Sequence, residues 1–425
     1  MKPCLKLEEM EEIRPVKGVL SVNLPLILKW IEVIMQSLRG SFAEIDLEAL
    51  QSNLSKIIQF CGTPGFVCPM IKANAYGHGD LQVGRALQDQ GLQHLGVALV
   101  EEALDLRAAG ITDPNILTFS TIGPQSVKSI IDASITPVVS SLVDLELLKD
   151  AVPVSSKLPV HLKIDTGMHR MGLPIDQLER AVEFFNGQTR LTLEGLCTHL
   201  SDAEDIGNLE GESFKQLNLF RRAWDFVQSL NPKFAHAYNS SGALGLHAHK
   251  HLEEWSAFTG FGIRPGIGMY GAVPESDSTL TQSQIESLNL VGAMTLTSVI
   301  GHIHTIESGE SVSYGSKWTA QRDSVVATIP LGYADGIHRV SSGKGFVTHK
   351  ELRAQQVGTV CMDYFIIDIT DWPVSKQKVG LPITIFGGRP GACSASEWAG
   401  WGNTISYEVF TSVSSRVPRK YLPRS

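Results

Sequence analysis

The chain has 425 residues, a length at which two domains are expected in place of one growing core. It is 43% hydrophobic and 19% charged, as ordinary globular proteins are, and a net charge of −8 without any Lys/Arg run gives no reason to expect nucleic acid as a partner. Six scattered cysteines with no C-x-x-C pair, and no histidine cluster at ligand spacing, argue against a disulfide frame or a metal site and fit the reduced thiols of a cytoplasmic protein.

The first element is an apolar stretch, Val19–Met35, interrupted by Asn23, Pro25, Lys29 and Glu32. It is too short and too charged to cross a bilayer, so no membrane is expected. Acidic residues precede it (Glu8, Glu9, Glu11, Glu12), where a secretory signal has a basic start. Ile27, Trp30, Ile31 and Ile34 fall on one helical face, which makes residues 1–38 an extension carrying an amphipathic helix. A translation start at Met35 and a secretory signal remain alternatives.

From Phe66 onward short apolar runs alternate with helical stretches. The predicted strands are Phe66–Lys72, Leu95–Val100, Ile116–Ser120, Ile135–Ser140, Val160–Asp165, Leu193–Thr198, Phe234–Asn239 and Phe261–Arg264. Between them lie helical segments such as Glu101–Ala109, Pro124–Ala133, Ile175–Phe185 and Phe214–Leu230. Strands apolar on both faces and separated by helices predict a parallel (β/α)8 barrel over residues 39–275. A doubly wound sheet is the alternative, but no G-x-G-x-x-G turn follows a strand. Residues 276–425 read as a mainly β domain: Ala293–Ile306, Ser324–Pro330, Ala354–Ile369 and Leu381–Phe386 are rich in Val, Ile and Thr. Ser394 and Glu397 form a capping box at the start of one helix there, and a second helix is predicted over Tyr407–Ser414.

Barrels concentrate chemistry where the strands end. Lys72 leaves the first strand, where partial burial turns an ammonium into a usable amine; the bland reading is a lysine reaching solvent. Ser240, Gly242, Gly266 and Gly268 follow the seventh and eighth strands, where hydroxyl and backbone N–H groups can cradle a phosphate, and Tyr76 offers a further phenol. A Schiff-base lysine with a phosphate cradle points to pyridoxal phosphate; a sugar-phosphate isomerase or aldolase is the alternative.

Met-Ile-Lys72-Ala-Asn-Ala-Tyr76-Gly-His-Gly resembles the cofactor-lysine motif of alanine racemases. Further matches follow in the same order: Lys163-x-Asp-Thr-Gly-Met-x-Arg170, Thr198-His199, Asn239-Ser240, Arg264-Pro-Gly-Ile267, Ser313-Tyr314-Gly315, Gly332-Tyr333-Ala-Asp335-Gly336, Cys361-Met362-Asp363 and Arg416-Val-Pro-Arg419. The resemblance covers the chain from about Phe42 to its end.

It implies a pyridoxal-phosphate-dependent isomerase that interconverts L- and D-alanine and supplies D-alanine for peptidoglycan. Lys72 and Tyr314 are the implied acid/base pair, on opposite faces of the cofactor, with Tyr314 donated across a homodimer interface. Tyr76, His199, Ser240, Arg264, Gly266 and Ile267 are implied cofactor contacts, Arg264 at the pyridine nitrogen and His199 as the helper of Tyr314. Arg170, Met362 and Tyr333 are implied substrate contacts, and Lys163 is a candidate for carbamate modification. Read without the family, His199 is more often a hydrogen-bonded structural residue, and core packing is the bland alternative for Tyr333 and Met362.

The chain departs from the family pattern at Ser415, where a tyrosine usually precedes Arg-Val-Pro-Arg; its loss predicts a roomier pocket open to serine or another small amino acid. Thr359 replaces a frequent arginine and Tyr364 a frequent glutamine, changes expected to alter the lining and not the reaction. The competing readings are an amino-acid decarboxylase, a D-amino-acid lyase and a non-catalytic cofactor carrier. Ser313-Tyr314-Gly315 argues against the first, the lack of metal ligands near the C-terminus against the second, and the second domain against the third.

Overall fold

The protein is described here as a computed structural model covering residues 38–62, 64–248, 262–272 and 282–422. The amphipathic helix expected over residues 27–34 lies outside the described residues.

Eight parallel strands form the expected barrel. His94–Val97, Asn115–Thr118, Ile135–Val139, Leu158–Asp165, Leu191–Cys197 and Phe234–His236 pair in sequence order. Phe66–Val67 pairs with Gly262–Ile263, and the bridges Met70↔Gly96 and Tyr238↔Ile263 join this pair to both ends of the larger sheet. The ring is closed. Every residue of His94–Val97 and Ile135–Val139 is buried, as strands covered on both faces require. Gly96 is needed for the closure, since a Cβ there would lie 2.5 Å from the Met70 sulfur.

The first strand differs from its expected extent. Regular pairing stops at Val67, because Pro69 has no N–H to give to a ladder, and Lys72 begins a separate turn. That turn is left-handed: Ala73, Asn74, Ala75 and Tyr76 have φ of +53, +55, +51 and +52°. An L-residue in this region costs roughly 1–2 kcal/mol, so outside contacts must hold the segment.

The second domain is built on a nine-stranded sheet. Its order is His302–Ile306, Ser324–Ile329, Phe365–Asp368, Leu352–Val357, Phe346–His349, Pro382–Phe386, Met294–Val299, Phe42–Ile45 and Arg419–Tyr421. Two predicted β runs are broken in two: Ala293–Ile306 turns at Gly301, and Ala354–Ile369 is interrupted by the loop 358–364. The Ser394–Glu397 capping box is present, with bonds of 2.7 and 3.1 Å. Phe42–Ile45 lies far ahead of this domain in sequence, yet it pairs antiparallel with Met294–Val299 and parallel with Arg419–Tyr421.

Candidate active site

The C-terminal ends of the barrel strands enclose a cavity of about 250 Å³. Lys72, Tyr76, Lys163, Arg170, His199, Ser240, Arg264, Gly266 and Ile267 line it, with Tyr407 from the second domain. No Asp or Glu is among the lining residues. A cavity with two lysines, two arginines and no carboxylate favours an anionic ligand.

The left-handed turn presents Lys72 and is held from several sides. The Glu102 carboxylate accepts the N–H groups of Ala73, Ala98 and Leu99 at 2.6, 2.8 and 3.0 Å. Arg419 donates to the Gly77 carbonyl at 2.9 Å, and the Tyr421 hydroxyl donates to the His78 carbonyl at 3.2 Å. The last strand of the β domain thus clamps the turn. Burial, then the neighbouring Arg170 cation, lowers the Lys72 pKa, which favours the free amine; Glu102 opposes this.

Arg264 is buried and donates to five acceptors. Nη1 reaches His236 Nδ1 and the His236 carbonyl, both at 2.7 Å. Nη2 reaches the carbonyls of Thr198 and Ala237 at 2.8 and 3.0 Å and His199 Nδ1 at 3.3 Å. A guanidinium only donates, so His199 Nδ1 carries a lone pair and its proton sits on Nε2. Burial, and after it Arg264 and the other cations, pushes His199 down to about 2. His199 is a neutral donor.

At the other end, Ser240 Oγ accepts the N–H groups of Gly266 and Gly268 at 3.0 and 3.2 Å and keeps its own proton to donate. A Cβ at Gly266 would lie 2.7 Å from the Tyr76 hydroxyl, so glycine leaves that phenol its place. Asn239 caps the helix Ser240–Ala248 by accepting from Gly242 N at 2.9 Å. Hydroxyls and backbone N–H groups at a helix start form an anion cradle.

The remaining expected residues lie apart from this cavity in the same chain. Tyr314 and Met362 line a shallow pocket on the second domain with Cys361, Asp363 and Tyr364. Tyr314 is 69%, Met362 53% and Tyr333 43% exposed. Tyr333 and Ala334 donate their N–H groups to the carbonyls of Cys361 and Met362, both at 3.0 Å, which joins the two motifs into one surface. The acidic and basic residues of these motifs form a brace beneath it: buried Asp335 bonds Arg39 and contacts Arg416, which also bonds Asp363 at 2.6 Å.

One expectation is overturned. Ser415 is exposed and does not line the cavity, so the missing tyrosine there does not widen it. The aromatic side chain that the C-terminal segment sends into the cavity is Tyr407, its ring 5.9 Å from that of Tyr76. Tyr407 had no signal beyond its place in a predicted helix. Glu102 also escaped sequence reading, because a glutamate early in a helix reads as an ordinary first-turn acid.

Residues 45–274 match the family model described as alanine racemase, N-terminal domain, and residues 293–421 the model for the C-terminal domain. The alanine racemase of Geobacter sulfurreducens is 33% identical over 391 residues, covering 90% of this chain and 97% of its own. That of Sorangium cellulosum is 35% identical over 403 residues, covering 90% and 99%. Among solved structures, alanine racemase from Streptomyces coelicolor superposes with a TM-score of 0.81 at 30% identity over 91% of this chain and 99% of that one. The Clostridium difficile alanine racemase gives 0.79 at 32% identity, with coverage of 90% and 96%. A closed barrel whose lysine is braced by a β domain, matched along almost its whole length by these proteins, places this chain in the alanine racemase family.

Proposed function

We propose that the protein interconverts L- and D-alanine by a two-base mechanism in the cavity at Lys72. The observation that carries this reading is the convergence of Lys72, the basic lining and the Ser240–Gly266–Gly268 cradle on one carboxylate-free cavity. The family depends on pyridoxal phosphate, and the residues present fit that group. The cradle and Tyr76 suit its phosphate, Lys72 its aldehyde carbon and Arg264 its pyridine nitrogen. When bound, the cofactor supplies an electron-withdrawing ring that acidifies the substrate Cα–H.

Lys72 Nζ, free as an amine once the substrate has taken its place, takes or returns the proton on one face. The Tyr314 hydroxyl does so on the other. Arg170 binds the substrate carboxylate by its two-pronged donor geometry. Arg264 donates and cannot accept, so it selects an acceptor opposite it. His199, neutral with its proton on Nε2, is suited to donate to a developing phenolate. Lys163 is the candidate for carbamate modification: burial lowers its pKa and favours the free amine that reacts with CO2, and the product anion would offset Arg170 and Arg264.

Tyr314 is donated by the second copy of a homodimer. This is supported by its exposure beside Tyr333, Met362 and Tyr364 on one face, an arrangement suited to a two-fold contact that completes the cavity. The cofactor-binding barrel extends to about residue 275 and the β domain follows it, with Phe42–Ile45 contributing a strand to the latter's sheet. No described helix is long and apolar enough to cross a membrane. A broader racemase acting also on serine is the second reading. Purified protein loaded with cofactor should produce D-alanine from L-alanine and act more weakly on serine; a coloured protein with no turnover would leave only a cofactor carrier.

A further inference from the structure

The layer of side chains beneath the cavity holds a second construction that the mechanism does not use. His161 lies two residues before Lys163 on Leu158–Asp165 and so points into the barrel on the same face, one layer deeper. Its partner in the ladder is Gly195, where a Cβ would lie 2.4 Å from His161 Nδ1; glycine makes room for the ring. His161 Nδ1 sits 2.7 Å from His236 Nε2, and His236 Nδ1 sits 2.7 Å from Arg264 Nη1. Both rings are fully buried against Phe66.

The protons in this row follow from one fixed end. Arg264 donates, so His236 Nδ1 must accept, and the His236 proton is on Nε2. His236 then donates to His161 Nδ1, and the His161 proton is on its own Nε2. That nitrogen is buried without a hydrogen-bond partner and faces Glu194 Oε2 at 4.0 Å. The reverse setting would point two N–H groups at each other across 2.7 Å, or an N–H at the guanidinium. The groups around the row are His94, whose ring packs on Phe66, and Lys233, whose Nζ is 3.1 Å from Glu194 Oε1. Burial, followed by nearby His94 and Arg264, pushes His161 down to about 3, and burial with Arg264 holds His236 well below its usual range. Both rings are neutral.

We propose that His161 is a positioning residue for Arg264: its Nδ1 accepts the Nε2–H of His236, fixes the orientation of that ring, and thereby holds the guanidinium in register with the cofactor ring. No proton travels along the row; its role is to set direction. The proposal rests on Arg264 being the cofactor's partner, but the tautomers can be read without turnover, so the failure of either claim is distinguishable.

The test uses the full-length, cofactor-loaded protein labelled with 15N-histidine, whose tautomers are read from two-bond 1H–15N correlations. In the wild type both His161 and His236 are expected as neutral Nε2–H rings; an Nδ1–H or doubly protonated ring at either position overturns the proposal before any variant is made. His161→Phe fills the space but offers no acceptor. It should leave the His236 Nε2–H without an acceptor, shift that resonance and lower kcat for alanine about tenfold, with KM within about twofold, while His161→Gln, which retains an acceptor, recovers most of the loss. Wild-type kcat with an intact His236 signal in His161→Phe, or equal losses in the Phe and Gln variants, contradicts it. Should His161→Phe not fold, the wild-type spectrum and His161→Gln decide the matter, since the latter must keep His236 as Nε2–H.

Discussion

The Thr359 hydroxyl donates to the Tyr314 carbonyl at 2.8 Å, while the Ser313 hydroxyl donates back to the Thr359 carbonyl at 2.6 Å. Thr359 is 1% exposed, so these bonds lie in a dry setting where an unmade one is costly. They hold a loop in which Ser313 and Ser316 have φ of +67 and +48°. Thr359, one of the three departures from the family pattern, therefore positions the backbone of the proposed acid/base group. Thr359→Val should lower kcat about tenfold with little change in KM, and lower stability by about 1 kcal/mol. Steady-state kinetics and thermal melting check this; unchanged kcat would separate Thr359 from Tyr314.

Tyr407, not position 415, sets the C-terminal wall of the cavity. Tyr407→Ala should weaken cofactor retention about tenfold by removing a ring packed beside Tyr76. Ser415→Tyr should leave both the rate with alanine and the preference for alanine over serine within about twofold, because the new ring would stand outside the cavity. A large change in that preference would restore a specificity role to position 415.

Gly77 is the point at which the turn bearing Lys72 meets the second domain. Its φ is +81°, and a Cβ would lie 2.2 Å from the Phe410 carbonyl oxygen. Gly77→Ala should cost more than ~2 kcal/mol and reduce the amount of cofactor bound on purification. A variant with wild-type melting and full cofactor absorbance would show that this contact does not hold the turn.

Three fully buried histidines tie stability to pH. Burial, partly offset by the carbonyls of Tyr76 and Ala75, pushes His78 down to about 4, His161 falls to about 3, and His236 is well below its usual range. Each is neutral when folded and takes up a proton when unfolded below pH ~6.5, so the unfolded state gains protons as the pH falls. Their stabilisation is complete above that value and is lost progressively toward pH 3–4. Between pH 7.5 and 5.5 the three together should cost about 4 kcal/mol, read as a lower denaturant midpoint. His78→Gln should flatten the slope; a midpoint independent of pH over that range would contradict the assignment.

The barrel was legible because its strands are apolar on both faces: Ile135–Val139 reads as a buried strand with no knowledge of its neighbours. The capping box at Ser394 was legible because it is a local contact three residues long. Phe42–Ile45 was not, since its four residues gain their place only by pairing with Met294–Val299 and Arg419–Tyr421. The left-handed turn was hidden as well: Ala73 and Ala75 have no local preference for it, Asn74 alone tolerates it readily, and the segment is held there by Glu102, Arg419 and Tyr421. At the site, Lys72, Arg264 and the glycines of the cradle stood out by position at strand ends, whereas Tyr407 and His161 gain meaning only from what packs against them.

Racemisation as proposed needs Lys72 and Tyr314 to serve opposite faces of one substrate. The most direct measurement is exchange of the α-hydrogen of L- and of D-alanine for solvent deuterium, followed by NMR in the wild type and in Tyr314→Phe. Tyr314→Phe is expected to lose racemisation and to lose exchange by about 100-fold for one enantiomer, while Lys72 continues to exchange the other at close to the wild-type rate. Equal loss for both enantiomers, or exchange undiminished for both, would contradict it.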